Sequence, residues 1–363
     1  MRKIKIYLQR PWKFSDSPYY QYLRETPPKN VEYVNADDFI LIQSKIKFKI
    51  NNFLKQKIKK TLRLLPGIPN AHLTRTKEKY DLIHCAHCLS LNNKPWICDM
   101  EYAEQFFASG RIKKKKFVFK ILNNKNCKKI LAWTKWSYNN ILKEFPEIKN
   151  KVEIVYPGIP KQKFKKVETK KINLLFSSRR FYFKGGLHAL EIIDRLTKRY
   201  KDVYGIIVSD VPEEIIRKYS INNKIKFLGF ITKERLFKEI YPNADIFVYP
   251  SYTDTFGFQL TEALSFGIPV ICVGGHSRKE IIENGKTGYV INERENLNIS
   301  SLENLEDYKD IIKETEKKVE LLIKNKKLRE KMSKNAFNEI KNGKFSIKER
   351  NKKLERIYNE AIK

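Results

Sequence analysis

Two apolar runs in the last third of the chain, ADIFVYPS at 244–251 and GIPVICVG at 267–274, constrain its fold more than any other feature. Each is short, bounded by proline or glycine and rich in β-branched and aromatic residues, as a buried strand requires. Between them lie a loop containing Gly257 and a short helical stretch, FQLTEALS. Strand, glycine loop, helix and strand in succession form the unit that open α/β sheets use to hold phosphate-bearing ligands. The same alternation extends along the chain. Strands are expected at 3–8, 31–34, 81–86, 96–99, 129–133, 153–155, 172–177, 204–208, 225–228, 245–249 and 270–273, and first-half helices at 45–65, 101–109, 112–122 and 137–145. Strands separated by helices argue for parallel sheets with crossover helices.

The loop carries chemistry. Asp254 follows the first strand and Glu262 comes after seven intervening residues. Ionised acids accept strong hydrogen bonds from hydroxyl groups, so the pair suits a sugar. The helix start at Thr255, Phe256 and Gly257 offers unpaired backbone N–H groups and a positive dipole end, which suit a diphosphate. Taken alone, the two acids could equally be a turn acid and a helix-surface acid. A second segment, INLLFSSRRFYFKGGLHALEIIDRLTKRY, reads as a strand, a loop and an amphipathic helix beginning near Gly186. Arg179 and Lys184 lie five apart in that loop, about seventy residues before the acids. Cations at the C-terminal end of a strand face the crevice outside the sheet, where they can stabilise a departing nucleoside diphosphate.

These two motifs resemble those of the family-four retaining glycosyltransferases, which have the GT-B fold. The stretch from Asp254 to Glu262 resembles that family's acid, seven residues, acid signature, and Arg179 with Lys184 resembles its R-L-x-x-x-K-G pattern. The likeness covers roughly 152–291. The sequence departs from the pattern at Asp254, one methylene shorter than the usual glutamate. A second departure follows the first strand, where QRPWKFSDSPYYQYL replaces the family's glycine pair. The resemblance implies two Rossmann-like domains facing a cleft. They are an acceptor domain at 1–157 and a nucleotide-sugar domain at 158–344, with a last helix at 345–363 returning to the first domain. It also implies retention at the anomeric carbon, a UDP- or GDP-linked donor, a glycan or lipid-linked acceptor, and no metal or other cofactor. In this assignment Arg179, Lys184, Asp254 and Glu101 are catalytic, while Thr255, Phe256, Gly257 and Glu262 complete the donor site.

The acceptor side is expected in the first half. KPWICDMEYAEQFF is a short strand ending in Asp99 and Glu101. In relatives, a similar strand beginning at proline ends in histidine or an acid beside the transfer site, and counting from Pro95 brings Glu101 there. A helix-start acid is the plainer reading of the same residue. The cluster His84-Cys85-Ala86-His87-Cys88 alternates along a strand and offers no tetrahedral metal set. The resemblance to the family's strand ending D-x-x-H implies instead a structural His84 and a His87 that lines the cleft. Trp12, Tyr19 and Tyr20 either stack on a sugar or pack.

Composition sets the remaining bounds. With 363 residues the chain can form two domains, and its 41% hydrophobic and 12% aromatic content is that of a globular protein. Five unevenly placed cysteines do not form a disulfide framework. No apolar run spans a bilayer and the basic start lacks a signal-peptide core, so a cytoplasmic protein is expected. A net charge of +33 attracts polyanions. At 45–65, Ile46, Ile50, Leu54, Ile58 and Leu62 recur at four-residue steps while Lys47, Lys49, Lys55, Lys57, Lys59 and Lys60 populate other faces. Such a helix packs its stripe on a core or lays it in an anionic membrane interface. Two alternatives stay open: a nucleotide-sugar epimerase or phosphorylase of the same fold, or a non-catalytic nucleic-acid-binding protein. No RNA- or DNA-reading motif accompanies the charge.

Overall fold

The computed structural model describes residues 2–10, 14–15, 18–36, 40–41, 45–62, 64–65, 67–164, 169–293 and 302–363, so Trp12 lies outside the described residues. The chain divides into two compact units, residues 1–158 with 344–363, and residues 159–343.

In the first unit six strands form one parallel sheet: β1 (Ile4–Gln9), β2 (Val31–Tyr33), β3 (Leu82–Ala86), β4 (Trp96–Met100), β5 (Cys127–Ala132) and β6 (Val152–Ile154). Their order is β2-β1-β3-β4-β5-β6. β3 and β4 are buried at every position, and apart from His84 and Asp99 their residues are apolar on both faces rather than alternating. The sheet is flanked by α1 (Tyr19–Glu25), α3 (Lys116–Leu122) and α4 (Lys135–Glu144), with α2 (Lys45–Leu62) between β2 and β3 in sequence. Three local expectations are corrected. Helix α1 was not expected at all. At 101–109 only a tight turn at Ala103–Phe106 forms, because Phe106 and Phe107 both turn onto Phe145 in the core. The helix expected from 112 begins at Lys116, since Lys114 has φ +50° and cannot continue a right-handed helix.

The last helix, α10 (Ile347–Ala361), belongs to the first unit. Ser346 caps it by accepting the Glu349 N–H, and Leu354, Ile357 and Ala361 are its buried stripe. The Tyr358 hydroxyl lies 2.9 Å from that of Tyr33 on β2 and 2.8 Å from His84 Nδ1 on β3. His84 Nε2 in turn meets Asp99 Oδ2 at 2.6 Å. Asp99 is fully buried in this chain of hydrogen bonds. It therefore serves the core, correcting its expected place on the acceptor side. All five cysteines are free and buried.

The second unit holds another parallel sheet: β7 (Ile172–Ser177), β8 (Val203–Val208), β9 (Ile225–Leu228), β10 (Ile246–Tyr249), β11 (Val270–Val273) and β12 (Gly288–Ile291), the last unforeseen. The order is β9-β8-β7-β10-β11-β12. Here α5 (Gly186–Arg199) follows β7, α6 (Glu213–Tyr219) follows β8 and α7 (Phe258–Ser265) follows β10. Helices α8 (Lys309–Lys324) and α9 (Lys326–Asn342) complete the unit. Buried Leu187, Leu190, Ile193 and Leu196 give α5 its helical stripe.

Candidate functional site

The strand order places the chemistry. The chain runs outward from β7 to β9 and then returns to the other side of β7 with β10, pairing Leu174 with Ile246 in parallel. At such a reversal, the loops leaving the two central strands diverge and open a ligand-binding crevice. The loop after β7 carries Arg179 and Lys184; the loop after β10 carries Asp254. The two motifs, separated in sequence, meet here: Lys184 Nζ lies 2.6 Å from Asp254 Oδ1, with side chains 15% and 14% exposed.

The loops are joined by backbone as well. Thr253 Oγ1 donates to the Phe183 carbonyl at 3.0 Å. Gly185 has φ +68°, and a Cβ there would penetrate the Pro250 carbonyl oxygen. Glycine alone meets both demands. Gly257, at φ +77°, caps α7 and leaves room beside Asp254, whose Oδ2 would lie 3.3 Å from an added Cβ. Phe256 is buried against Phe258, and the Thr255 carbonyl accepts the Ser277 N–H. Arg179 is exposed on its loop.

Asp254 is held more fully than expected. Its Oδ2 accepts the Tyr249 hydroxyl at 2.6 Å, so both carboxylate oxygens are engaged within the protein. Burial first, and then the Asp254 carboxylate, push the Tyr249 hydroxyl well above its ordinary pKa. Arg278, fully buried, donates from Nη1 to the Asp254 carbonyl at 2.7 Å and from Nε to that of Val273, also at 2.7 Å. Neither Tyr249 nor Arg278 was singled out in the sequence: the first read as a strand residue and the second as one cation among many. Glu262 has separate partners, Lys233 Nζ at 3.5 Å and the Tyr241 hydroxyl at 3.4 Å.

In the first unit the corresponding reversal lies between β1 and β3. His87 follows β3 with φ +52°, a conformation that a non-glycine residue adopts only at a cost. His87 Nε2 is 3.7 Å from Glu101 Oε1. Tyr19 and Tyr20 are buried and pack edge-on with each other, while Trp133 meets Tyr19 and His87 meets both Tyr20 and Trp133. They therefore form the floor beneath His87 rather than an open stacking face.

Among the described residues no group of three or more His, Cys, Asp or Glu side chains is placed to hold a metal. A cavity of about 400 Å³ in the second unit, lined by Phe164, Phe237, Pro242 and Phe266 among others, contains none of the predicted site residues.

Residues 159–339 match the family described as glycosyl transferases group 1. The chain is 26% identical over 243 residues to an uncharacterized glycosyltransferase of Methanocaldococcus jannaschii, covering 58% of this chain and 62% of that protein. It is 28% identical over 203 residues to a probable sucrose-phosphate synthase of Thermosipho melanesiensis, covering 51% and 47% respectively. The matches thus span less than two thirds of either relative. Among solved structures, a glycosyltransferase from Rickettsia africae superposes with a TM-score of 0.63 at 17% identity, covering 100% of this chain and 99% of that one. Anabaena HepE in complex with UDP-glucose gives 0.59 at 14% identity, covering 98% and 99%. At these identities the likeness concerns the fold, which is GT-B.

Proposed function

The chain belongs, through residues 159–339, to the glycosyl transferases group 1 family, and from that premise we propose that it moves a sugar from a UDP- or GDP-linked donor to a glycan or lipid-linked acceptor, with retention at the anomeric carbon. The observation that carries this reading is the Lys184–Asp254 pair at the strand-order reversal of the second unit. The Anabaena relative's complex with UDP-glucose supports the donor class.

In this reading the diphosphate lies against Lys184 and Arg179 and the N-terminal N–H groups of α7. Lysine has three donors, so one can stay with Asp254 while two meet phosphate oxygens. As the bond from sugar to diphosphate breaks, negative charge grows on the leaving group, and fixed cations favour that state over the ground state. Glu262 accepts from the ribose hydroxyls. Each Asp254 oxygen keeps a second lone pair, through which it accepts from the transferred sugar. The acceptor falls to the first unit, where His87 and Glu101 can orient a hydroxyl and take up its proton. No metal or cofactor enters the proposal.

The membrane is the proposed meeting place with a lipid-linked acceptor. Between residues 45 and 65 the sequence holds eight lysines and arginines and no acid. On α2, Ile50, Phe53, Leu54 and Ile58 share one face and are 55%, 59%, 50% and 43% exposed, which favours interfacial contact over core packing. Among the described residues no helix is long and apolar enough to cross a membrane.

The test is thermal unfolding with UDP, GDP and their common sugar conjugates, followed by product analysis. A ligand at a hundredfold excess over Kd stabilises by about 2.7 kcal/mol. A melting point unmoved by every nucleotide, with salt-sensitive retention on a nucleic-acid column, would instead mark a polyanion-binding protein.

A further inference from the structure

We propose that Tyr249 is a positioning residue that fixes the Asp254 carboxylate so that its other oxygen holds Lys184 in place. The functional part of this inference rests on the donor-site reading; the geometric part does not.

The Tyr249 ring cannot move freely. It is fully buried and stacks on Phe247, with ring centres 5.3 Å apart and planes 15° from parallel, and on Phe176 at 6.1 Å and 25°. Its hydroxyl is therefore presented at a set point, and a buried phenol needs an acceptor. That acceptor is Asp254 Oδ2, at 2.6 Å. The loop's backbone is pinned independently, through the Arg278 bond to the Asp254 carbonyl. With the main chain and Oδ2 both fixed, the aspartate side chain loses its rotational freedom and Oδ1 faces Lys184 Nζ at 2.6 Å. Lysine carries its charge on a flexible four-carbon stem, so a fixed anion beside it removes alternatives that would otherwise be lost at each turnover. The short side chain at 254 and the tyrosine at 249 form one device: the hydroxyl holds one carboxylate oxygen and leaves the other to Lys184.

Tyr249→Phe removes only the hydroxyl and keeps the stacked ring. The expected result is a fall in kcat of roughly tenfold to a hundredfold, the range for a hydrogen bond to a charged group, with the donor KM changed by less than about threefold. A ligand-free readout accompanies it: the unfolding stabilities of Tyr249→Phe, Lys184→Met and the double variant. Tyr249 and Lys184 each bond Asp254, so the effects should be non-additive, and that coupling should vanish on an Asp254→Ala background. Additive stabilities overturn the proposal whether or not a donor is found. Coupling with unchanged kcat overturns the positioning role. Intact coupling in a protein that binds no nucleotide upholds the geometry and fails the donor-site reading alone.

Discussion

His188 Nδ1 and the Tyr252 hydroxyl lie 2.8 Å apart, and this bond ties α5 to the loop that carries Asp254. His188 is fully buried, with its ring 4.7 Å from that of Tyr308. The helix whose start follows Lys184 and the loop opposite it are thus held from behind as well as at the ion pair.

A pH dependence follows from this burial, which lowers the His188 pKa from 6.5 to about 4. The unfolded chain binds a proton at His188 at higher pH than the folded one, so stability rises with pH between these values. The contribution is complete above pH 6.5, is lost as pH falls toward about 4, and is flat below. The difference is worth roughly 3 kcal/mol. Denaturant unfolding of wild type and His188→Gln across that range should show the wild type losing about that much more. Parallel profiles would contradict it.

Removal of Lys184 tests the charge-stabilising role. Lys184→Ala should lower kcat by roughly a hundredfold, as losing other transition-state donors does. Arg179→Ala should cost less, near tenfold, because Arg179 is exposed to solvent that screens its charge. Steady-state kinetics with one donor compares the two, and near-wild-type turnover in Lys184→Ala would remove this residue from the mechanism.

Gly185→Ala adds one carbon where the Pro250 carbonyl leaves no room, at a backbone φ of +68°. The combined strain should destabilise the protein by about 2–4 kcal/mol. It should also part the two loops, so nucleotide binding measured by calorimetry should weaken well beyond what lost stability explains. An unchanged melting point would show that the loops tolerate separation.

For α2, the paired change Phe53→Ser and Leu54→Ser should leave the unfolding midpoint unaltered, since both side chains are exposed. Wild type should sediment with vesicles containing phosphatidylglycerol and be released by salt, whereas the variant should bind at least roughly tenfold more weakly from lost apolar burial. Equal binding to purely zwitterionic vesicles, or none to either, would argue against an anionic lipid surface.

Much of this protein is written locally. Short apolar runs ending in proline or glycine mark strands such as β10 and β11, and the Arg179–Lys184 and Asp254–Glu262 spacings mark loops at strand ends. Such signals are legible because burial and backbone conformation leave a period and a punctuation in the residues themselves. What the sequence could not decide was neighbourhood. That β7 lies beside β10 brings Lys184 to Asp254; that β4 crosses the core buries Asp99 against His84 while Glu101, two residues on, meets His87. The partner of a side chain depends on which strand lies alongside and in what register, and those are set by the packing of the whole sheet. Tyr249, an apolar strand residue by pattern, differs: its partner is only five residues on, and the turn of the loop after β10 sets that acid 2.6 Å from its hydroxyl.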